Sequence, residues 1–326
     1  MKAEIVIFDP TAEKAYIPAV EEGIEWTTER RGSPGKLTCK VVNDKILHFS
    51  EGSMIQLRVD EKPVFSGFVF RQQRDREEII TITAYDQLRY LKNKDSILYE
   101  NQTADALIRM LAQDYALEVG ILENTGYVIP YRVEKNTSLF EMIENALELT
   151  TTNTGEKFVL YDDFGKLTLK RLSSMIVGTR QACLLLDADS SENFEYTSSI
   201  DENTYNRIIL IRDNEDVKNG DCCIASSPEN MRLWGILQYV ETMKEGENGQ
   251  AKADALLKLH NKKTRSLKLT GVVGDNRVRA GSLLAVNLDL GDAGLQSQLL
   301  VERCRHIYQE SEHSMDLTLT GGDFIG

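Results

Sequence analysis

EGSMIQLRVDEKPVFSGFVFRQQRDREEIITITAYD, residues 51–86, decides how the chain is read, because its pattern returns at residues 281–321 as GSLLAVNLDLGDAGLQSQLLVERCRHIYQESEHSMDLTLTG. Gly52-Ser53-Met54-Ile55-Gln56-Leu57 matches Gly281-Ser282-Leu283-Leu284-Ala285-Val286 in kind everywhere except Gln56 against Ala285. In both, a Gly-Ser start leads into an apolar-rich run with strand character. Each copy then crosses an acidic turn, Asp60-Glu61 or Asp289 to Asp292, into a second strand, PVFSGFVF or QLLVERCRHIY. A charged turn, RQQRDREE or QESEH, precedes a third strand, and IITITAYD and SMDLTLTG both alternate apolar residues with threonine. A three-strand meander used twice makes internal duplication the first architectural expectation, as two related β-barrel or sandwich units.

Working outward, the 326 residues exceed one ordinary core and point to two or three domains. With 41% hydrophobic and 27% charged residues, the composition is that of a folded, soluble protein. The formal net charge of -13, from 38 basic and 51 acidic residues, argues against a nucleic-acid grip built on phosphate contacts. After Lys2 the run Ile5-Val6-Ile7-Phe8 is cut off by Asp9-Pro10, so no secretory signal is read, and no apolar stretch reaches the ~18 residues of a membrane span. The five cysteines (Cys39, Cys183, Cys222, Cys223, Cys304) show no CxxC spacing, which favours reduced thiols in a cytoplasmic product. Cys222-Cys223 reads as two unrelated loop thiols rather than a strained redox pair.

In chain order, residues 3–8 and Leu37-Cys39-Val41 alternate as strands around the turn chemistry of Arg31-Gly32-Ser33-Pro34-Gly35. Gly67, between apolar neighbours, marks a bulge or a close backbone approach, or is a glycine tolerated at a sheet edge; its residues leave both open. Thr103 to Leu117 then carries Ala104, Leu107, Ile108, Leu111 and Tyr115 at helical spacing behind a threonine cap. Ser138-Leu139-Phe140-Glu141 is a capping box opening a second helix, with Leu139, Ile143, Ala146 and Leu147 on one face. Phe158 to Leu169 is a hairpin about Asp162-Asp163-Phe164-Gly165. Strand character resumes from about Ser190, clearest at Arg207 to Ile211. Residues 226–264 read as an insertion: a strand expected near Tyr239, a Gly246-Glu247-Asn248-Gly249 turn, and a helix over 251–263 with Leu256, Leu257 and His260 to one side.

The fold class expected is therefore β-rich α+β: two related tube-type antiparallel β-barrel units, a small α+β domain between them, and a helical insertion in the second. The boundaries are 1–95 for the first unit, 96–178 for the α+β domain, 179–225 with 265–326 for the second unit, and 226–264 for the insertion.

No GxSxG elbow, HExxH helix, P-loop or GxGxxG fingerprint is present, and no catalytic, cofactor or metal residue is assigned. His306 and His313 are placed to meet across the last hairpin, without a Cys or carboxylate pattern to complete a zinc site. Asp187-Ala188-Asp189 and Asp162-Asp163 are the best carboxylate pairs for acid–base work, against the plainer reading of turn and edge chemistry. Glu141, Glu144 and Glu148 form a solvated helix face, and Lys262-Lys263-Arg265 is too short for a nucleic-acid patch. Trp234-Gly235-Ile236-Leu237 reads equally as a partner anchor, through Trp234, Ile236 and Leu237, and as local core.

In this order of elements the chain resembles the baseplate hub proteins of contractile phage tails, of the XkdQ/YqbQ type found in defective prophages and phage-tail-like bacteriocins, and more distantly the head of the type VI secretion spike VgrG. Phe65 to Val69, Ile80 to Asp86 with Leu88 and Leu91, Tyr99 to Thr103, Val278 to Leu288, and Leu317 to Leu319 carry the resemblance. It implies a homotrimer whose chains each give two barrels, so that three chains present a pseudo-sixfold ring joining the hexameric tail tube to the trimeric spike. The partners implied are the protein itself, the tube protein, the spike protein and the wedge proteins, with no membrane, no specific nucleic acid and no cofactor. The place implied is the baseplate of a virion or tail-like particle assembled in the bacterial cytoplasm. Gly52, Gly67, Tyr85, Asp86 and Gly281 are the repeat anchors. No lysozyme, peptidase or spike β-helix segment is read in the chain, so the family's versions of these are expected on separate polypeptides. The alternative from another class is a cell-wall hydrolase or glycan-binding module at a tail tip, working through Asp187 and Asp189 or Asp162 and Asp163.

Overall fold

A computed structural model describes residues 1–9, 13–21, 23–44, 46–179, 182–183, 185–187, 190–201, 203–212, 222–243, 248–289 and 294–321. The Asp189 and Gly246-Glu247 readings, and most of the second acidic turn, lie outside the described residues. The chain falls into two compact units, one of Met1–Glu195 with Leu267–Gly326, the other of Tyr196–Ser266.

The first unit opens with β1 (Ala3–Asp9), β2 (Lys14–Tyr16), β3 (Ile24–Glu29), β4 (Lys36–Val42), β5 (Met54–Val59), β6 (Lys62–Arg74) and β7 (Ile79–Tyr85). An α+β segment follows: β8 (Lys94–Gln102), α1 (Ala104–Asp114), β9 (Val119–Leu122), β10 (Ile129–Ser138), α2 (Leu139–Thr154), β11 (Phe158–Asp162) and β12 (Leu167–Arg171). Thr103 caps α1 through its hydroxyl, and Ser138 with Glu141 forms the full capping box of α2, which ends at a left-handed Gly155. Their apolar faces share one core with Leu88, Leu91, Tyr99 and Leu169. The hairpin around Asp162 forms, with Asp162 opposite Leu167. Short strands β13 (Gly178–Thr179), β14 (Ala182–Cys183) and β15 (Leu185–Leu186) lead to β16 (Asn193–Ser199), whose last residues enter the second unit.

The second unit has β17 (Arg207–Arg212), β18 (Cys222–Ser226), α3 (Pro228–Trp234), β19 (Gln238–Met243) and α4 (Gly249–His260). β17 runs antiparallel to β18 and parallel to β19. Ile208, Leu210, Ala225, Met243 and Ala253 form its core, with Leu256 and Leu257 of α4 packed against it. Strands β20 (Thr264–Val273), β21 (Leu283–Asp289), β22 (Gly294–Gln309) and β23 (Glu312–Thr320) complete the chain.

One 13-stranded sheet carries most of these strands, in the order β16-β20-β23-β22-β3-β4-β7-β6-β5-β1-β2, with β21 and β15 branching from β22. Split between β22 and β3, it yields two sets with the same plan: β1-β5-β6-β7-β4-β3 and β15-β21-β22-β23-β20-β16. In chain order each strand of the first set has its counterpart in the second. One pairing differs in direction between the sets, β1 being antiparallel to β5 and β15 parallel to β21. The pairings among the described residues do not close either set into a barrel.

Two expectations need correction. The charged stretch after Phe70 is not a turn from Arg71 onward, because Arg71 to Arg74 pair with Thr83 to Ile80 as the end of β6. Ile24–Glu29, not read as a strand, is β3, the piece that joins the two sets. Its alternation is weak: only Ile24 and Trp26 are buried, and Thr27, Thr28 and Glu29 follow without an apolar partner.

Candidate functional site

The repeat is reproduced in backbone detail. Gly52 and Gly281 have φ of +91° and +92°. The N–H of Gly52 donates to Val69 O (2.8 Å) and that of Val69 to Ser53 O (2.9 Å); the N–H of Gly281 donates to Val301 O (2.8 Å) and that of Val301 to Ser282 O (2.9 Å). Each serine is buried and turns its hydroxyl back to accept from the N–H three residues earlier, Ser53 from Ser50 and Ser282 from Arg279, both at 3.1 Å. Each copy then bends its long strand at a bulge. In β6 Val69 faces Ala84 and Arg71 faces Thr83; in β22 Val301 faces Leu319 and Arg303 faces Thr318.

The bulge decides what each strand pairs with. Before it, β6 pairs with β5 and β22 with β21. Beyond it, the edge of β22 from Arg303 to Tyr308 takes β3 as neighbour, Arg303 facing Glu29 and Tyr308 facing Ile24. On the buried face of this junction Trp26 stacks on His306 with ring centroids 4.8 Å apart. His306 Nε2 lies 2.9 Å from Val278 O, and a carbonyl can only accept, so Nε2 carries the proton and Nδ1 accepts from His313 Nε2 at 2.9 Å. Burial, with His313 adding to it, holds His306 down to about 3, and burial holds His313 to about 4. Cys304 lies beside the pair, its Sγ 3.2 Å from His306 Nε2, and burial pushes its thiol up. The two histidines thus meet as the spacing implied and have the cysteine neighbour that was not foreseen. No set of three or more metal-ligating side chains is gathered among the described residues. On the solvent side the junction is ionic. Arg30 grips Glu302 at 2.8 and 2.9 Å, Arg305 grips Glu25 at 2.5 and 3.2 Å, and Arg303 approaches Glu29 to 3.8 Å.

Gly67 sits inside β6, opposite Ile55, where an added Cβ would overlap the Tyr85 carbonyl and the Phe65 ring. It marks a close backbone approach. Tyr85 meets Phe70 edge-on at 5.5 Å. Asp86 is buried, accepting from the N–H of Gly35 (2.9 Å) and of Leu88 (3.1 Å). Burial, and after it the Asp162 charge, raise its carboxyl well above the usual range. Asp162 is raised to about 6, chiefly by burial, and its Oδ2 has no hydrogen-bond partner among the described residues. Arg279 ties this cluster together, donating to Asp162 O at 2.7 Å and lying over the rings of Tyr161 (4.6 Å) and Trp26 (5.6 Å). Of the two adjacent acids, Asp162 is buried while Asp163 is exposed. Asp86 is near enough for the Asp162 charge to act on it. Both Asp86 oxygens are bound by backbone N–H groups, so the cluster's chemistry is to hold β3, the β7 end and the hairpin together. Asp187 accepts from the hydroxyl of Ser190 at 2.5 Å, a local turn contact.

In the second unit, Asn206 sets the Trp234–Leu237 turn, donating to Gly235 O (2.7 Å) and accepting from the N–H of Leu237 (2.9 Å). Trp234 and Leu237 are half-buried, while Ile236 is 59% and Leu233 70% exposed. Cys222 is exposed and Cys223 half-buried, both free, as neighbours on β18. The signal that sequence reading lacked was for β3 and the arginine–glutamate pairs, which join residues separated by most of the chain.

The family model described as YQBQ-like matches residues 24–320, so the chain belongs to that family. Two Bacillus subtilis (strain 168) proteins are similar to it: the uncharacterized protein YqbQ, 29% identical over 314 residues covering 94% of this chain and 93% of the relative, and the phage-like element PBSX protein XkdQ, 29% identical over 313 residues and 93% of each. Among solved structures, the 43 kDa tail protein of prophage MuSo2 from Shewanella oneidensis superposes with a TM-score of 0.72 at 15% identity, covering 99% of this chain and all of that one. At that identity the likeness is one of fold.

Proposed function

We propose that this member of the YQBQ-like family is a non-enzymatic structural hub of a phage-tail or tail-like baseplate. In this reading it assembles as a homotrimer in which the two strand sets of each chain act as tube-type barrel units in a pseudo-sixfold ring. The ring joins a hexameric tail tube to a trimeric spike, with wedge proteins around it, in a particle assembled in the bacterial cytoplasm. The observation that carries the reading is the matched strand order of the two sets, since a trimer presents six similar faces only if each chain supplies two. The names of the relatives, a phage-like element protein and a prophage tail protein, agree with it. The domain boundaries at 95, 178, 225 and 264 and the contact role of Trp234, Ile236 and Leu237 belong to the same proposal. The hydrolase alternative finds less support, because Asp162 is enclosed while Asp163 is exposed. Light scattering and negative-stain microscopy test the reading: the purified protein is expected as a trimeric ring of six-fold appearance. A monomer at high concentration, alone and with its spike protein, without rings, overturns it.

A further inference from the structure

One end of the Tyr196–Ser266 unit is held by polar stitches rather than by packing. Asn230 Nδ2 donates to Asn261 Oδ1 at 2.9 Å, tying α3 to the end of α4. The Thr204 hydroxyl donates to Lys262 O at 3.0 Å, and Asn206 holds the turn after α3, so the loop before β17 joins the same end. On this end α3 buries none of its seven residues. A helix that short does not persist on its own hydrogen bonds and takes its stability from a packed apolar face. Here that face is open: Leu233 is 70% and Ile236 59% exposed, with Trp234 and Leu237 half-buried beside them. We propose that this end of the unit binds a segment of a different protein, whose apolar side chains cover Leu233 and Ile236 and whose acidic side chains meet the cations around them.

Three observations carry this. First, the rim is cationic. Arg232 on α3, Lys258 one turn before Asn261, and Lys262 and Lys263 just after it are all exposed. None of the four has an ion pair among the described residues, in a chain whose acids outnumber its bases by 51 to 38. Glu229, the acid on α3, stands in the first turn of that helix, and Asp254 on α4 accepts from Gln250 at 3.1 Å. Such a rim steers and selects an acidic partner. Second, the centre is apolar, and an apolar centre inside a polar rim is the anatomy of a protein–protein contact. A nucleic acid held through its phosphates would leave Leu233 and Ile236 uncovered. Third, β17, β18 and β19 form a sheet of their own, outside both matched strand sets. This surface is therefore not one of the repeated faces through which copies of the chain would meet, which favours a different protein as the occupant.

The inference rests on the contact role given above to Trp234, Ile236 and Leu237, and its test is separate from that of the ring. A displayed library of random peptides is panned against the full-length protein, with the Leu233→Asp variant as counter-selection. Peptides retained by the wild type alone are expected to be rich in Asp and Glu beside Leu, Ile or Phe. Fluorescence anisotropy of the best of these is expected to show binding weakened about tenfold or more by Leu233→Asp, and likewise by Lys262→Glu combined with Lys263→Glu. Lys62→Glu, an exposed charge of the first strand set, is expected to change nothing. All the substituted residues are exposed, so each variant is expected to fold, as circular dichroism checks. Selection of cationic or purely polar peptides, or of none specific to the wild type, overturns the inference. So does a labelled DNA duplex that the same lysines hold more tightly than any peptide. Loss of the ring in Leu233→Asp, seen by light scattering, would make the occupant a second copy and overturn it as well. A ring without selected peptides leaves the ring reading standing alone, whereas acidic peptides without a ring keep this surface and remove the ring.

Discussion

Gly52 and Gly281 hold the same left-handed backbone in different surroundings. An alanine Cβ at Gly52 would meet open space, whereas at Gly281 it would overlap Val159 of the α+β segment. Gly52→Ala is therefore expected to cost about 1 kcal/mol for the positive φ alone, and Gly281→Ala about 2 kcal/mol more from overpacking, read as two separated shifts in thermal midpoint. The buried acids and histidines give opposite pH limbs. Asp86 and Asp162 have raised values in the folded state, so their contribution is full below the unfolded value near 4 and is lost as pH climbs through about 6 and beyond. His306 and His313 have lowered values, so theirs is full above about 6.5 and is lost as pH falls toward 4 and 3. Asp86→Asn is expected to flatten the alkaline limb of the stability profile, measured by denaturant unfolding from pH 3 to 8, and to leave the acid limb in place. An unchanged alkaline limb would mean that Asp86 is already ionised in the folded protein.

At the scale of elements, one bulged residue sets the face of half a strand. Beyond Glu302, the alternation that buries Cys304, His306 and Tyr308 depends on the extra residue. Deleting Glu302 moves each of these to the opposite face, so the variant is expected to lose cooperative unfolding by calorimetry. Glu302→Ala keeps the register and loses the part-buried pair with Arg30 and the hydrogen bond from the Thr320 hydroxyl, a change expected at about 1–2 kcal/mol. The meanders are legible in the sequence because two-residue alternation and a Gly-Ser turn are local signals, as are the caps at Thr103 and Ser138. The β6 end is hidden there, because Arg71-Gln72-Gln73-Arg74 has turn composition and becomes a strand only by pairing with Thr83 to Ile80. The Asp86–Asp162 cluster is hidden for a similar reason: each acid is visible, but their meeting depends on how the hairpin packs on the sheet. Trp26 gives no sign of its place, since its partner His306 lies almost the whole chain away.

For the whole molecule, the plan of the sheet explains why a chain without a recognisable catalytic constellation is nonetheless long and highly specified. Two copies of one strand arrangement are joined through β3 and β22, with the α+β segment spliced between them and the Tyr196–Ser266 unit falling, in sequence, within the second copy. No helix among the described residues is long and apolar enough to cross a membrane. The β3–β22 junction also has a kinetic consequence. Because both halves are on one polypeptide, that contact forms at an effective concentration fixed by the tether, on the order of millimolar for flexible connections, whatever the dilution of the protein. In a ring of six similar faces, every second seam would thus be sealed during folding, and only the remaining three would have to wait for molecules to collide.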